Sequence, residues 1–209
     1  MDTPLSDRKT EILRAASNLF VSQGYHGSSL AEVATAVGIL KGSLYHHIKS
    51  KEELLTEIIL DAIASAEANL ECAVKMGNGV ETVLTSHVRY LSCNPGPAVL
   101  LREAVRLPRL RRNTISRKLE AYEERMGGIV CNGQRNGLIA AGDPQLIVRL
   151  LMVACTQPLW NELGVPTKTP TSECIIQLLF AAGHRKRLEE EDDAAYRTTT
   201  AVQSRAAVA

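Results

Sequence analysis

The sequence predicts an all-α protein. Only two Phe and one Trp occur in 209 residues, and the alternating β-branched runs of strands are scarce. Apolar residues recur instead at spacings of three and four, the period of a helix buried along one face. Glycine and proline breaks cut this pattern into nine segments.

The first segment runs from about Asp7 to Gln23, with Ser6 as cap and Ile12, Leu13, Ala16, Leu19 and Phe20 on one face. Gly24 ends it. Ser29-Leu30-Ala31-Glu32 has the form of a capping box and opens a second helix that stops near Gly38. A third, short helix covers about Lys41 to His47. Ser50-Lys51-Glu52-Glu53 is another capping box, opening a long fourth helix striped by Leu54, Leu55, Ile58, Ile59, Ala62 and Ala66. Gly77-Asn78-Gly79 breaks the chain. The fifth helix carries Val80, Val83, Leu84, His87, Val88 and Leu91, and a short sixth follows Asn94-Pro95-Gly96-Pro97 to about Arg106. After Pro108 the seventh shows Ile115, Leu119, Tyr122, Met126, Ile129 and Val130. Asp143-Pro144 starts the eighth, a capping residue followed by proline at the first helical position. That helix extends to about Asn161, and its apolar residues on nearly every face predict burial on all sides. The ninth runs from Ser172 to about Leu188. The remainder, 189–209, is acidic and then Ala/Thr-rich, as expected of a disordered tail.

The formal charge is only +1, which argues against a protein that coats nucleic acid without specificity. Residues 1–55 sum to zero, yet 41–51 hold three Lys and no acid, and 102–118 carry seven cations against Glu103. Five cysteines without CxxC or cysteine–histidine spacing suit reduced thiols in a cytoplasm and offer no metal site. No apolar run reaches membrane length; the longest, Leu146 to Trp160, is broken by Arg149, Gln157 and Pro158.

The stretch from Ser29 to Lys51 carries function. Two short helices joined by a tight turn at Gly38, between longer helices, follow the helix-turn-helix plan, in which the second helix enters the DNA major groove. Ser29 and Ser50 sit at helix starts, whose backbone N–H groups suit phosphate, as do the Tyr, Ser and Lys side chains of 41–51. His46 and His47 are adjacent, point to different sides of a helix and have no partner cluster, so contact of one with the DNA backbone, the other being solvated or packed, is a better reading than a metal site.

The residues Arg8, Ile12-Leu13, Ala15-Ala16, Leu19-Phe20 and Gly24-Tyr25, then Leu30 to Val37, then Gly42-Ser43-Leu44-Tyr45-His46-His47-Ile48-Lys49-Ser50-Lys51-Glu52-Glu53-Leu54, resemble the TetR family of bacterial repressors across about residues 8–60. Gly38 to His47 is similar to a subgroup that controls steroid and lipid catabolism and senses CoA thioesters. The resemblance implies a nine-helix architecture: a helix-turn-helix DNA-binding domain at 1–55 and a helical effector-binding and dimerisation domain at 56–188. It also implies roles. Tyr45 and His47 would contact the DNA backbone, Lys51 would anchor a phosphate, and Lys41, Gly42 and Ser43 would face base edges, Lys41 reaching guanine O6/N7. The family often has a small polar residue where this chain has Leu40, which weakens the cap and offers an apolar contact to a thymine methyl.

Beyond the motif, His87 on an apolar stripe reads either as a satisfied core histidine or as a polar group in a ligand pocket, and Tyr90 and Tyr122 share that ambiguity. The basic run containing Arg102 and Arg106 reads as a solvated face or as the mouth of a pocket for an anion. Met126 and Cys155 complete the candidate effector set. The eighth and ninth helices, through Leu146, Leu150, Trp160, Ile175, Ile176 and Leu179, suit a four-helix dimer interface.

The expected function is therefore a homodimeric repressor that binds a palindromic operator and is released by a small-molecule effector, an acyl-CoA or another lipophilic anion. An activator or co-regulator of the same family is the alternative. No GxSxG, HExxH, Walker or dinucleotide motif supports an enzyme, and no cofactor is implied.

Overall fold

A computed structural model describes residues 5–77, 79–94, 96–155 and 174–181. All of its regular elements among these residues are helices. They are α1 (Leu5–Gln23), α2 (Leu30–Ala36), α3 (Lys41–Leu44), α4 (Lys51–Lys75), α5 (Gly79–Cys93), α6 (Gly96–Ala104), α7 (Arg109–Arg135), α8 (Pro144–Cys155) and a last segment, α9 (174–181). No helix among them is long and apolar enough to cross a membrane. The expected loop at 164–171, the tail at 189–209 and Trp160 lie outside the described residues.

α4 is the spine. It packs against α1, α5, α6 and α7, while α7 packs against α8. The periodicity of its sequence explains this reach: Leu54, Leu55, Ile58, Ile59, Ile63, Ala66 and Leu70 are all buried. One continuous core runs from Ile12, Phe20, Leu44 and Ile48 in the N-terminal helices through Leu84, Tyr122 and Met126 to Val148. The domain boundary expected at 55/56 falls inside α4, so the head and the body share a helix and a core. A smaller cluster of Val88, Leu151 and Cys155 lies beneath Ile175, Ile176 and Leu179.

The cap signals act as the sequence predicts at α2. Ser29 Oγ accepts from the Glu32 N–H, and the Ser29 N–H donates to the Glu32 carboxylate. At α4 only half of the box forms. Ser50 Oγ accepts from the Glu53 N–H, but the Glu53 carboxylate turns to the Lys49 N–H at 2.7 Å. Close packing fixes the turn before α8, where a Cβ on Gly133 would meet Ile139 Cδ1 at 2.6 Å.

Candidate DNA interface and effector cavity

The helix-turn-helix is built from α2, a four-residue turn and α3. α2 ends in a Schellman motif: the Gly38 N–H bonds to Thr35 O and the Ile39 N–H to Ala34 O. Gly38 takes φ +68°, a left-handed conformation that side chains resist and that the reversal into α3 requires. Leu40 caps α3 without a side-chain hydrogen bond, in keeping with its apolar character.

α3 is shorter than expected. Regular α-helix ends at Leu44, and the His46 and His47 N–H groups bond three residues back, to Ser43 O and Leu44 O. The tightening seats both Leu44 and Ile48 in the core at 0% exposure. It leaves Lys41, Gly42, Ser43, Tyr45 and His46 on the outside, with Leu40 80% exposed and His47 half-buried. Ser29 is exposed at the start of α2.

Lys51 is placed differently from the expected free phosphate anchor. Its ammonium donates to the carbonyls of Tyr25 and Ser28 and lies 4.5 Å from the Tyr25 ring centre. Burial among these groups pulls its pKa below the usual lysine value. Lys51 thus ties the turn after α1 to the start of α4. Burial, then Glu52 and Glu103, push Tyr25 up to about 12.

A cavity of about 520 Å³ lies between the head and the body. Its walls are mainly apolar, including Leu13 and Val21 of α1, Ile59 and Ile63 of α4, and Leu119 of α7. Polar groups gather on the α1 and α4 sides, where Arg14, Ser17 and Asn18 face Asp61 and Ser65. Tyr90 and Tyr122 line it. The other expected effector residues do not. His87 stands behind Tyr122, wholly buried, with Nδ1 2.9 Å from Asn69 Oδ1 and Nε2 bonded to the Tyr122 hydroxyl. Burial lowers its pKa from 6.5 to about 4, so it is a neutral, satisfied core histidine that holds a cavity tyrosine. Burial likewise raises the Tyr122 pKa. Met126 and Cys155 are buried in the packed interior. Arg102 and Arg106 are exposed and away from the cavity wall, because α6 turns its apolar face inward through Leu100, Leu101 and Ala104. The α1 contribution escaped the sequence reading, since residues 13–21 come together with 58–66 only through tertiary packing.

The far end of the body is apolar. α8 buries Val148, Leu151 and Cys155 but exposes Leu146, Leu150 and Val153, each by more than half. Burial of α8 on all sides is therefore not achieved within one chain: Leu146, Leu150 and Val153, one apolar stripe of the helix, face outward. Leu178 of α9 is 78% exposed, whereas Ile175, Ile176 and Leu179 pack inward.

Residues 12–58 match the family described as bacterial regulatory proteins, tetR family. That match runs from within α1, through the helix-turn-helix, to the start of α4. Among its curated relatives is the HTH-type transcriptional repressor KstR2 of Mycolicibacterium smegmatis, 40% identical over 62 residues, or 29% of this chain and 30% of that one. The chain thus spans under a third of the curated relatives it matches. Solved structures resemble it over most of its length. AibR in complex with isovaleryl coenzyme A and operator DNA superposes with a TM-score of 0.68 at 22% identity, covering 83% of this chain and 98% of that chain. FadR from Bacillus subtilis in complex with stearoyl-CoA gives 0.64 at 22% identity with the same coverage. At that identity the likeness shows the shared fold.

Proposed function

We propose that the chain is a homodimeric, ligand-responsive transcriptional repressor that reads a palindromic operator. The outward face of α3 is the observation that carries this reading. Burial of Leu44 and Ile48 fixes the short helix so that Leu40, Lys41, Gly42, Ser43, Tyr45 and His46 share one exposed surface. Lys41 is suited to guanine O6/N7, Leu40 to a thymine methyl, and Tyr45, His46, His47 and the Ser29 helix start to phosphate oxygens. Lys51 serves that surface by holding the α1–α2 turn in place, with the remaining N–H of its ammonium available to a phosphate.

The exposed Leu146, Leu150 and Val153 stripe with Leu178 is the surface for a second copy, and a two-fold axis there would present two α3 helices to half-sites about 34–36 Å apart or a multiple of that. The cavity takes the effector. Its apolar walls suit an acyl chain, and Arg14 at its polar edge is the cation that an acyl-CoA or other lipophilic anion would meet. The acyl-CoA ligands of AibR and FadR, proteins of the same fold, favour that class. Because α1 and α4 wall the cavity and also carry the head, an occupant prefers one head position, and its differential affinity sets the extent of release. A cytoplasmic location follows from this role.

Gel shift with DNA flanking the protein's own gene tests the reading. A retarded fragment is expected at low salt, released by isovaleryl-CoA or stearoyl-CoA. No retarded fragment would overturn repression; retention in the presence of both thioesters would overturn the effector class alone.

A further inference from the structure

We propose that Arg106, Arg109, Arg111 and Arg112, at the α6–α7 junction, form a second DNA-contacting patch that grips the phosphate backbone beside the helix-turn-helix. The inference rests on the DNA-binding reading above and extends the interface beyond the tetR-matched segment.

Placement is the first support. Arg106 Nη1 lies 2.9 Å from His26 Nε2, which is also 3.0 Å from the Glu103 carboxylate. His26 belongs to the turn between α1 and α2. Arg111 is close enough to Glu52, in the first turn of α4, to add to the Glu52 backbone N–H and the Ser50 hydroxyl in lowering that carboxylate's pKa. The junction is therefore docked on the head, next to the helix starts capped by Ser29 and Ser50.

Electrostatics is the second. The first turn of α7 holds Arg109, Arg111 and Arg112 and no acid. A helix N-terminus is positive, so cations there are disfavoured by their own helix. Arg106 shares Glu103 with His26. Arg109 and Arg112 have no ion pair among the described residues and are exposed; Arg112 bonds only to the Val105 carbonyl at 3.2 Å. A surface that holds like charges against the local field matches a partner that supplies dense negative charge, and duplex DNA carries one phosphate per about 1.7 Å of axis. Arginine's planar fork can engage such oxygens bidentately.

Exclusion is the third. None of the cations between 102 and 118 lines the cavity, so the cavity's geometry gives the run no contact with an occupant.

The test is fluorescence anisotropy of the full chain on two duplexes, one flanking its own gene and one of random sequence, titrated from about 50 to 200 mM salt. The R109A/R112A chain should lose affinity for both duplexes by the same factor, and its slope of log affinity against log salt should shrink by about 4, two contacts from each chain of the dimer. Its thermal midpoint should hold or rise, and R109K/R112K should keep most of the slope. Equal slopes and affinities for wild type and R109A/R112A would overturn the proposal, leaving the patch, with its exposed Val105 and Leu110, to a protein partner. Wild type that binds neither duplex would overturn the DNA-binding reading itself, which distinguishes the two failures.

Discussion

The two ends of the molecule expose opposite chemistry. The head turns out Lys41, Ser43, Tyr45 and His46, with Leu40 as an apolar exception, whereas α8 and α9 turn out Leu146, Leu150, Val153 and Leu178. Each surface is left over after the same core has been filled, so each records a different kind of partner. Binding at the charged end should weaken steeply with salt, and association at the apolar end should not. The contrast also explains how a near-neutral chain can carry a basic patch: its charges are segregated rather than abundant.

The most direct way to break the comparison is Leu150→Asp. The side chain is 60% exposed, so a single chain should keep its stability within about 0.5 kcal/mol, while sedimentation should show a monomer. Operator affinity should then fall by about 10² to 10⁴, the contribution of tying two heads together. An unchanged dimer would move the interface elsewhere.

A smaller effect separates the interior from both surfaces. His87 titrates at about 4 when folded against 6.5 when free. Because the unfolded chain takes up the proton first, stability should be full above pH 6.5 and decline toward pH 4, by as much as about 3 kcal/mol. Denaturant melts across that range check it, and His87→Gln should flatten the profile.

Within the head, two lysines divide the roles. Lys41→Ala should leave the melting temperature unchanged and relax discrimination at one base pair by about 1–3 kcal/mol. Lys51→Ala should leave the Tyr25 and Ser28 carbonyls short of a donor and destabilise the fold by about 1–3 kcal/mol, weakening all DNA alike. Identical binding profiles across a base-substituted operator set would refute that division. The smallest effect should come from Gly38→Ala, which puts a Cβ into φ +68° at a cost of about 1 kcal/mol, measurable by thermal melting.

The head was legible because its determinants are local. Ser29 and Glu32 cap each other across three residues, Gly38 reverses the chain, and the spacing of Leu44 and Ile48 shows which side of α3 faces in. The cavity was not legible for the opposite reason. Helical period reveals that Tyr90, Tyr122 and Met126 point inward, but not that the first two meet a void while Met126 meets packed side chains. Nor could it show that Leu13, Arg14 and Ser17 stand across from Asp61 and Ser65. Lys51 shows the same limit: its cation was plain in the sequence, but its carbonyl partners lie 23 and 26 residues away. The apolar eighth helix signalled burial correctly in kind, yet the stripe at 146, 150 and 153 needs another surface to complete it.

α4 has a mechanical consequence. Its 25 residues span about 37 Å at about 1.5 Å per residue. Were it to pivot at its Lys75 end, a tilt of about 5° would swing the Lys51 end through about 3 Å, close to the 3.4 Å rise of one base-pair step. Ile59 and Ile63 stand about 24 and 18 Å from the Lys75 end, so the helix would amplify a displacement of the cavity wall by a factor of only about 1.5 to 2 at its Lys51 end.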